Sequence, residues 1–205
     1  MTREGLVIKV GVLELQGDFA LHHRALQNIG ISSCSVKQKY DLENLDGLII
    51  PGGESTTISL LIDSSGLRNS LIKFGKNKPI MGTCAGLILM AKMVTDNRLK
   101  TLGFIDVEID RNAYGRQIES RQVEINYKIG SNNYFTRPTS LIRAPKITSA
   151  GSEVNVIGKY NNSPVAVIEK HFLGLTFHPE LDEVGIFHKI LFDSKSSVYY
   201  KKNYS

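Results

Sequence analysis

Short apolar runs alternate with segments of helical periodicity through the first half of the chain, and this alternation restricts the folds that it can adopt. Residues 7–13, 47–50 and 79–82 form such runs, and apolar side chains at helical spacing follow each of them. Strands that alternate with helices favour a parallel sheet covered by helices on both faces. Right-handed crossovers then bring the carboxyl ends of the strands to one edge, where α/β proteins place their sites.

The 205 residues are predicted to form one α/β domain at residues 1–192, followed by a tail at residues 193–205. No internal repeat, low-complexity tract or linker divides the sequence. Strands are predicted at residues 7–13, 33–38, 47–50, 79–82, 104–109, 122–128, 154–157 and 165–169. Helices are predicted at residues 18–28, 57–62, 67–74, 87–93 and 183–192.

Charge and hydropathy argue against two classes of partner. The net charge of +5 comes from basic residues that are mostly scattered, so no nucleic-acid partner is expected. No apolar run approaches the roughly 18 residues of a membrane span, and the N-terminus lacks the pattern of a signal peptide. We therefore expect a cytoplasmic protein without membrane contact. The aromatic and basic tail is expected to be solvated or to dock on a partner.

The segment Gly82-Thr83-Cys84-Ala85-Gly86 lies between a predicted strand and a predicted helix. This pattern matches a nucleophile elbow, a tight strand-to-helix turn that presents a reactive side chain, with Cys84 as the nucleophile. Its glycines leave room for the turn, and the N–H of Ala85 is placed to stabilise an oxyanion. The alternative is a buried cysteine in a glycine-rich turn. Cys34 lies in an ordinary alternating run and is expected to be half-buried and unreactive.

A thiol nucleophile needs a base, and His178 is the best candidate among the five histidines. It follows an apolar strand, at the sheet edge where Cys84 is also expected. Glu180 lies two residues further on, beyond Pro179, and can fix the imidazole tautomer. His22 and His23 are expected to be solvated or interfacial. No zinc-binding spacing occurs, so no metal is predicted.

The glycine-rich segment Pro51-Gly52-Gly53-Glu54-Ser55-Thr56-Thr57 follows the predicted strand at residues 47–50. Paired glycines permit positive φ angles and a close approach by a ligand, and their N–H groups can help an oxyanion. A phosphate-binding loop is the alternative, but the lysine of the Walker pattern and the G-x-G-x-x-G pattern are both absent.

These pieces together resemble the class I glutamine amidotransferases, and within them the glutaminase subunits of pyridoxal 5′-phosphate synthase, the PdxT or SNO family. The resemblance covers residues 9–192, and its most specific segments occur in a fixed order. They are Leu15-Gln16-Gly17-Asp18-Phe19, Pro51 to Thr57, the elbow, Arg111-Asn112-Ala113-Tyr114-Gly115-Arg116-Gln117, Ile142-Arg143-Ala144-Pro145 and Phe177-His178-Pro179-Glu180-Leu181. This sequence departs from the family at residues 119–122, where it has Glu-Ser-Arg-Gln and the family usually has Asp-Ser-Phe-Glu.

The resemblance implies a single-domain, flavodoxin-like three-layer α/β sandwich with a mostly parallel central sheet. It implies a cysteine-dependent glutaminase whose triad is Cys84, His178 and Glu180, with no cofactor. The oxyanion donors would be the N–H groups of Gly53 and Ala85. The residues that bind L-glutamine would be Gly52, Gly53, Glu54, Arg111, Ile142 and Arg143.

By the same resemblance, the ammonia passes to a separate (β/α)8-barrel synthase subunit that builds pyridoxal 5′-phosphate. Glutaminases of this kind are nearly idle without that partner, and the Leu15 to Phe19 segment would contact it. Three alternatives remain open from the sequence: a glutaminase that serves another synthase, a γ-glutamyl peptide hydrolase, and a non-catalytic flavodoxin-like protein with a sensor cysteine.

Overall fold

The structure, a computed structural model, describes residues 8–96, 98–111, 121–181 and 185–204. The strands are β1 (Lys9–Leu13), β2 (Ser32–Val36), β3 (Gly47–Ile50), β4 (Ile80–Thr83), β5 (Ala91–Val94), β6 (Ile105–Asp110), β7 (Arg121–Ile129), β8 (Asn133–Leu141), β9 (Lys146–Ala150), β10 (Asn155–Tyr160), β11 (Ser163–Glu169) and β12 (Phe172–Leu175). The helices are α1 (Phe19–Asn28), α2 (Ser55–Ser64), α3 (Arg68–Gly75), α4 (Ala85–Met90), α5 (Ile186–Phe192) and α6 (Tyr200–Asn203), with a 3₁₀ turn at Lys39–Leu42. None of these helices is long and apolar enough to cross a membrane.

Nine strands form one sheet in the order β2-β1-β3-β4-β12-β11-β10-β7-β8. The strands from β2 to β12 pair in parallel, and the pairs from β12 to β8 are antiparallel. The parallel half is built from the strands that alternate with helices, as the sequence predicts. A smaller sheet, β5-β6-β9, lies beside it. The α/β class predicted from the sequence is confirmed.

Each face of the large sheet has its own apolar core, which makes the fold three-layered. On β3, Ile49 points into the core that α1 and α5 cover, through Leu26 and Phe187 among others. Its neighbour Ile50 points into the opposite core, which α2, α3 and α4 cover. Successive strand residues face opposite sides, so a strand buried on both faces reads as a continuous apolar run. Each large apolar side chain that is fully buried stabilises the fold by about 1.5–3 kcal/mol relative to an exposed one.

The pairing of β4 with β12 fixes the place of the predicted site. These strands run parallel, and Thr83 at the end of β4 is in register with Leu175 at the end of β12. The chain enters the elbow directly after Thr83 and reaches His178 three residues after Leu175. Neighbouring strands lie about 4.8 Å apart, so the register brings the two segments side by side at one edge.

The structure departs from the predicted elements where polar strands pair. The helix predicted at residues 87–93 ends at Met90, because Ala91 to Val94 leaves the helix to pair with β6 as strand β5. Strands β8 and β9 were not predicted. The first is the edge strand of the large sheet, carries Pro138 and buries only Thr139; the second buries only Ile147. Such strands carry little hydrophobic pattern.

The C-terminal tail packs on its own chain, contrary to the prediction of a solvated or partner-bound segment. Tyr200 of α6 is buried against the core under the antiparallel half of the sheet. The hydroxyl of Tyr204 accepts a hydrogen bond from the N–H of Gly130 at 2.9 Å, in the turn between β7 and β8. The division into a domain at residues 1–192 and a tail at residues 193–205 stays a prediction.

Candidate active site

Cys84 lies in the turn between β4 and α4 with φ of 48° and ψ of −103°. A residue other than glycine pays about 1–3 kcal/mol for such a backbone. Two hydrogen bonds hold it there: its N–H donates to the carbonyl of Leu175 at 2.8 Å, and its carbonyl accepts from the N–H of Ile88 at 3.1 Å. The turn thus has the strained strand-to-helix geometry that the elbow pattern predicts, and Cys84 is only 9% exposed.

The two glycines of the elbow are required by close contacts. A Cβ on Gly86 would lie 1.9 Å from the carbonyl oxygen of Ile50, and a Cβ on Gly82 would lie 2.5 Å from Sδ of Met90. Neither glycine has a positive φ. Their role is therefore to let α4 start directly against β3, which brings the following helix close behind Cys84.

His178 lies beside Cys84 and is nearly buried. Burial by itself lowers the pKa of the imidazole, but hydrogen bonds and charge attraction from Cys84 and Glu180 raise it to about 10. At neutral pH the ring is therefore held as an imidazolium next to the sulfur.

Glu180 completes the row behind His178. Its Oε1 is 2.8 Å from Nδ1 of His178, and its side chain is fully buried. Burial raises the pKa of this carboxyl, and the hydrogen bond and charge of His178 oppose that rise. With Nδ1 bonded to the carboxylate, Nε2 is left for the chemistry at Cys84, as in other triads.

The glycine-rich loop packs against both the imidazole and the first strand–helix loop. A Cβ on Gly52 would lie 2.1 Å from Cε1 of His178. Gly53 has φ of 155°, and a Cβ there would lie 2.5 Å from Oε1 of Gln16. The same Gln16 oxygen accepts from the N–H of Glu54 at 2.8 Å. The loop therefore approaches the site so closely that side chains are excluded at both glycines.

Glu54 and Arg111 form an ion pair at the N-terminus of α2. Arg111 donates to Oε1 of Glu54 at 3.0 Å and to Oγ1 of Thr56 at 2.8 Å, and it also faces Asp96 at 3.4 Å. Glu54 caps the helix by accepting from the N–H groups of Thr56 and Thr57. Partial burial would raise its pKa, but these hydrogen bonds lower it to about 2. Glu54 is thus a structural cap as well as a candidate ligand for glutamine.

The remaining predicted ligands of glutamine lie in or next to connecting segments. Ile142 and Arg143 follow β8 directly, the first half-buried and the second exposed with φ of 45°. Residues 112–120 fall outside the described part of the chain, so most of the Arg-Asn-Ala-Tyr-Gly-Arg-Gln segment is not placed. The same holds for residues 119 and 120 of the departing segment. The roles of Ile142 and Arg143 stay predictions.

His22 is the residue that the sequence interpretation placed wrongly. It was expected to be solvated or interfacial, yet it is 0% exposed and lies behind the triad. Its Nε2 is 3.2 Å from Oγ1 of Thr83 and 3.4 Å from Oε2 of Glu180, and its Nδ1 is 3.2 Å from Nε2 of His188. One signal was available: His22, Ala25 and Leu26 have the i, i+3, i+4 spacing of one helix face. His23 points away, to Ser33 and Glu14.

Asp18 is a second acid beside His178, with Oδ2 3.9 Å from Nδ1 of the imidazole. Asp18, His178 and Glu180 are the one group of three metal-ligating side chains found in the described segments. Two of them are already bonded to each other at 2.8 Å. Pairing within the row at Cys84 therefore accounts for this cluster, and the site is built for acid–base work at the sulfur.

The chain is similar to known proteins along most of its length. The profile of the SNO glutamine amidotransferase family matches residues 12–195. The pyridoxal 5′-phosphate synthase subunit PdxT of Solibacter usitatus is 44% identical over 186 residues, which cover 89% of this chain and 96% of that protein. The subunit of the same name from Brevibacillus brevis is 43% identical over 187 residues, covering 91% and 96% of the two chains.

Solved structures are also similar to this chain along most of its length. A crystal structure described as a glutamine amidotransferase superposes with a TM-score of 0.82 and 37% identity, covering 89% of this chain and 96% of that one. The PurLQS structure from Thermotoga maritima gives a TM-score of 0.70 at 16% identity, which covers 91% of this chain and 98% of the matched one and shows a shared fold.

Proposed function

The chain belongs to the SNO glutamine amidotransferase family, and on that premise we propose that it is the glutaminase subunit of a pyridoxal 5′-phosphate synthase. It hydrolyses the side-chain amide of L-glutamine to L-glutamate and ammonia. The observation that carries this proposal is the row of Cys84, His178 and Glu180, with 2.8 Å between Nδ1 of His178 and Oε1 of Glu180. The names of the PdxT relatives support the assignment to pyridoxal 5′-phosphate synthesis.

In the first half of the reaction, the Cys84 thiolate attacks the amide carbon of glutamine. The carbonyl oxygen becomes an oxyanion, which the N–H groups of Gly53 and Ala85 stabilise. The C–N bond then breaks as His178 transfers its proton to nitrogen, so that ammonia leaves and a γ-glutamyl thioester remains. The raised pKa of His178 supports this role, because the imidazole is already protonated at neutral pH.

In the second half, His178 takes a proton from water and the resulting hydroxide attacks the thioester carbon. The C–S bond breaks, which releases glutamate and restores the Cys84 thiolate and the His178 imidazolium. The change of role has a physical basis. The interaction with Cys84 helps to raise the pKa of His178, and a thioester no longer carries the negative charge. His178 therefore loses part of its proton affinity when it has to act as a base.

Substrate binding is assigned to Gly52, Gly53, Glu54, Arg111, Ile142 and Arg143. Arg111 is suited to the α-carboxylate of glutamine, since a guanidinium binds carboxylates through two parallel hydrogen bonds. Its pairing with Glu54 at 3.0 Å supports this, because the two side chains offer opposite charges to a zwitterionic amino acid. Close packing at Gly52 leaves the peptide backbone, with no side chain, facing the imidazole.

The partner is a (β/α)8-barrel synthase subunit that receives the ammonia, and the Leu15 to Phe19 segment contacts it. Two hydrogen bonds support a link between this segment and the site. Oε1 of Gln16 accepts from the N–H of Glu54, and the N–H of Asp18 donates to the carbonyl of Gly52 at 3.2 Å. A partner that moves the segment therefore also moves the glycine-rich loop. The cytoplasmic location expected from the sequence stays a prediction.

The test is glutamate release from L-glutamine, measured with and without the barrel subunit from the same source. Strong release only with the barrel supports both the activity and the partner. Strong release by the chain alone points to a free-standing hydrolase or to a different amidotransferase. Absence of release in both cases favours the non-catalytic sensor.

Two controls make this test specific to the assigned residues. His178→Asn should abolish release while binding of the barrel persists. A glutamine-analogue electrophile should add to Cys84 and spare Cys34, the pKa of which is raised by burial. An adduct on Cys34 instead, or full turnover by His178→Asn, contradicts the assignment.

A further inference from the structure

A row of buried polar side chains lies behind the triad and takes no direct part in the steps above. His22, Thr83 and His188 are each 0% exposed, although they border the apolar core covered by α1 and α5. Polar groups in such surroundings cost free energy unless they are hydrogen-bonded. Each of the three has a partner inside the row, and the row ends at Glu180.

The two carboxylate oxygens of Glu180 differ in their hydrogen bonding. Its Oε1 bonds to His178, but its Oε2 is buried and makes no hydrogen bond within normal limits to any described residue. Nε2 of His22 lies 3.4 Å from Oε2, outside hydrogen-bond geometry but close enough for a dipole–charge attraction. A buried carboxylate with one oxygen unsupported can rotate or take up a proton, and either change would release Nδ1 of His178.

The tautomers of the two buried histidines follow from the pattern of contacts. Burial lowers the pKa of both rings, that of His22 well below 6.5 with help from nearby histidines, and that of His188 to about 4. Each ring is therefore neutral at pH 7 and carries one N–H. Nδ1 of His188 has no hydrogen-bond partner among the described residues, whereas its Nε2 faces Nδ1 of His22 at 3.2 Å.

An unpaired N–H in an apolar core is costly, so the proton of His188 belongs on Nε2. His188 then donates to Nδ1 of His22, which must be an acceptor. The single proton of His22 is thereby forced onto Nε2, the atom that faces Oε2 of Glu180 and the hydroxyl of Thr83. The N–H groups of the row therefore all face the same way. His188 donates to His22, and the Nε2–H of His22 faces the carboxylate.

We propose that His22 is a positioning residue for the triad, and that its Nε2–H, hydrogen-bonded to Thr83 and 3.4 Å from the second oxygen of Glu180, attracts that oxygen so that the first stays on Nδ1 of His178. His188 fixes the tautomer that makes this possible. The inference rests on the proposed glutaminase function, because its consequence is a correctly oriented His178 during turnover. His22 contacts neither the glycine-rich loop nor Arg111 through any described hydrogen bond, so it acts through Glu180.

The decisive experiment compares His22→Leu, which removes the nitrogen, with His22→Gln, whose amide N–H lies near the position of Nε2–H. With the barrel subunit present, His22→Leu should lower kcat for glutamate release about 10- to 100-fold, the range typical for lost outer partners of metal-bound histidines. KM for glutamine should change little. The acid limb of the pH–rate profile should move to higher pH, because Glu180 binds a proton more readily. His22→Gln should recover most of kcat and the wild-type profile.

The neighbouring histidine on the same helix provides the matched control. His23→Leu removes bonds to Ser33 and Glu14, outside the row, and should leave kcat, KM and the pH profile unchanged even if the protein melts earlier. If His22 had a purely structural role, His22→Leu would lower the melting temperature of the protein without moving the pH–rate profile. His22→Leu with wild-type kcat and profile would overturn the proposal, as would a His22→Gln variant no better than His22→Leu.

A second measurement does not depend on any variant or on activity. Long-range nitrogen–proton NMR spectra of the wild-type protein should show both His22 and His188 protonated on Nε2. Protonation of His22 on Nδ1 would refute the inference. An inactive wild type would count against the proposed function, and the positioning of Glu180 by His22 would then be decided by these tautomers.

Discussion

The close contact between Gly52 and His178 permits a sharp test of how tightly the imidazole must be placed. In Gly52→Ala, the added Cβ would lie 2.1 Å from Cε1 of His178, whereas ordinary contacts begin at 3.4 Å. The ring must therefore retreat by about 1.3 Å. Its 2.8 Å hydrogen bond to Glu180 cannot survive such a shift within normal limits. Because φ of Gly52 is not positive, alanine suits the backbone itself.

A displacement of about 1 Å at a reacting group costs roughly 100-fold in rate, or about 2.7 kcal/mol of barrier. We therefore expect Gly52→Ala to release glutamate about 100-fold more slowly in the presence of the barrel subunit. Its melting temperature should also fall, because the lost bond leaves the buried carboxylate of Glu180 without a partner, at a cost of about 1–3 kcal/mol. The assay is steady-state glutamate release together with a thermal melt of the same preparation.

Gly66→Ala is the matched control. Gly66 has φ of 68°, and a Cβ added there would meet nothing within 4 Å, so alanine carries only a backbone penalty of about 1–2 kcal/mol. This variant should also melt earlier, yet unlike Gly52→Ala it should keep wild-type activity per folded molecule. Release by Gly52→Ala within twofold of the wild-type rate would refute the reasoning, because the imidazole would then tolerate the displacement.

Three further predictions concern the ion pair, the helix cap and the tail. Arg111→Ala should raise KM for glutamine about 10-fold or more in steady-state kinetics, since one lost charge-assisted bond is worth about 1.5–3 kcal/mol; an unchanged KM would remove Arg111 from the glutamine site. The pKa of Glu54 is lowered from 4.5 to about 2, so its charge stabilises the fold above pH 4.5 and this contribution is lost as the pH falls towards 2. Glu54→Gln should therefore melt earlier than the wild type at pH 7, with the gap closing near pH 2; an equal gap at both values would contradict the assignment. Tyr204→Phe leaves the N–H of Gly130 without its 2.9 Å acceptor and should lower stability by about 1 kcal/mol, or ~2–4 °C in melting temperature, with glutaminase activity unchanged.

The row of Cys84, His178 and Glu180 is predictable from sequence because its signals are local. A tight strand-to-helix turn needs glycines beside the nucleophile, and the contacts of Gly86 with the Ile50 carbonyl give the steric reason. His178 and Glu180 are two residues apart, so one turn places both. Only the proximity of these two residues to Cys84 depends on tertiary structure. Parallel pairing of the apolar strands makes that proximity predictable.

The elements that were missed lack such local signals. Strand β8 lies at the edge of the sheet and has no regular alternation of polar and apolar residues, and β5 differs from the end of a helix only because β6 lies beside it. The tail looks like a solvated terminus until the turn at Gly130 offers its N–H to Tyr204. In each case a neighbour that is distant in sequence decides the structure.

The sequence by itself determined the α/β class, the elbow at Cys84 and the base with its carboxylate, because steric and periodic rules act over a few residues. The tertiary structure alone decided which polar groups His22 contacts behind the triad, namely Thr83, Glu180 and His188. Both histidines are on α1, and one helical position, about 100° of rotation, separates a fully buried side chain from one that is partly exposed. The helical spacing favours His22 on the core face, but its partners come from β4, from α5 and from the segment after β12, which only the packed core brings together.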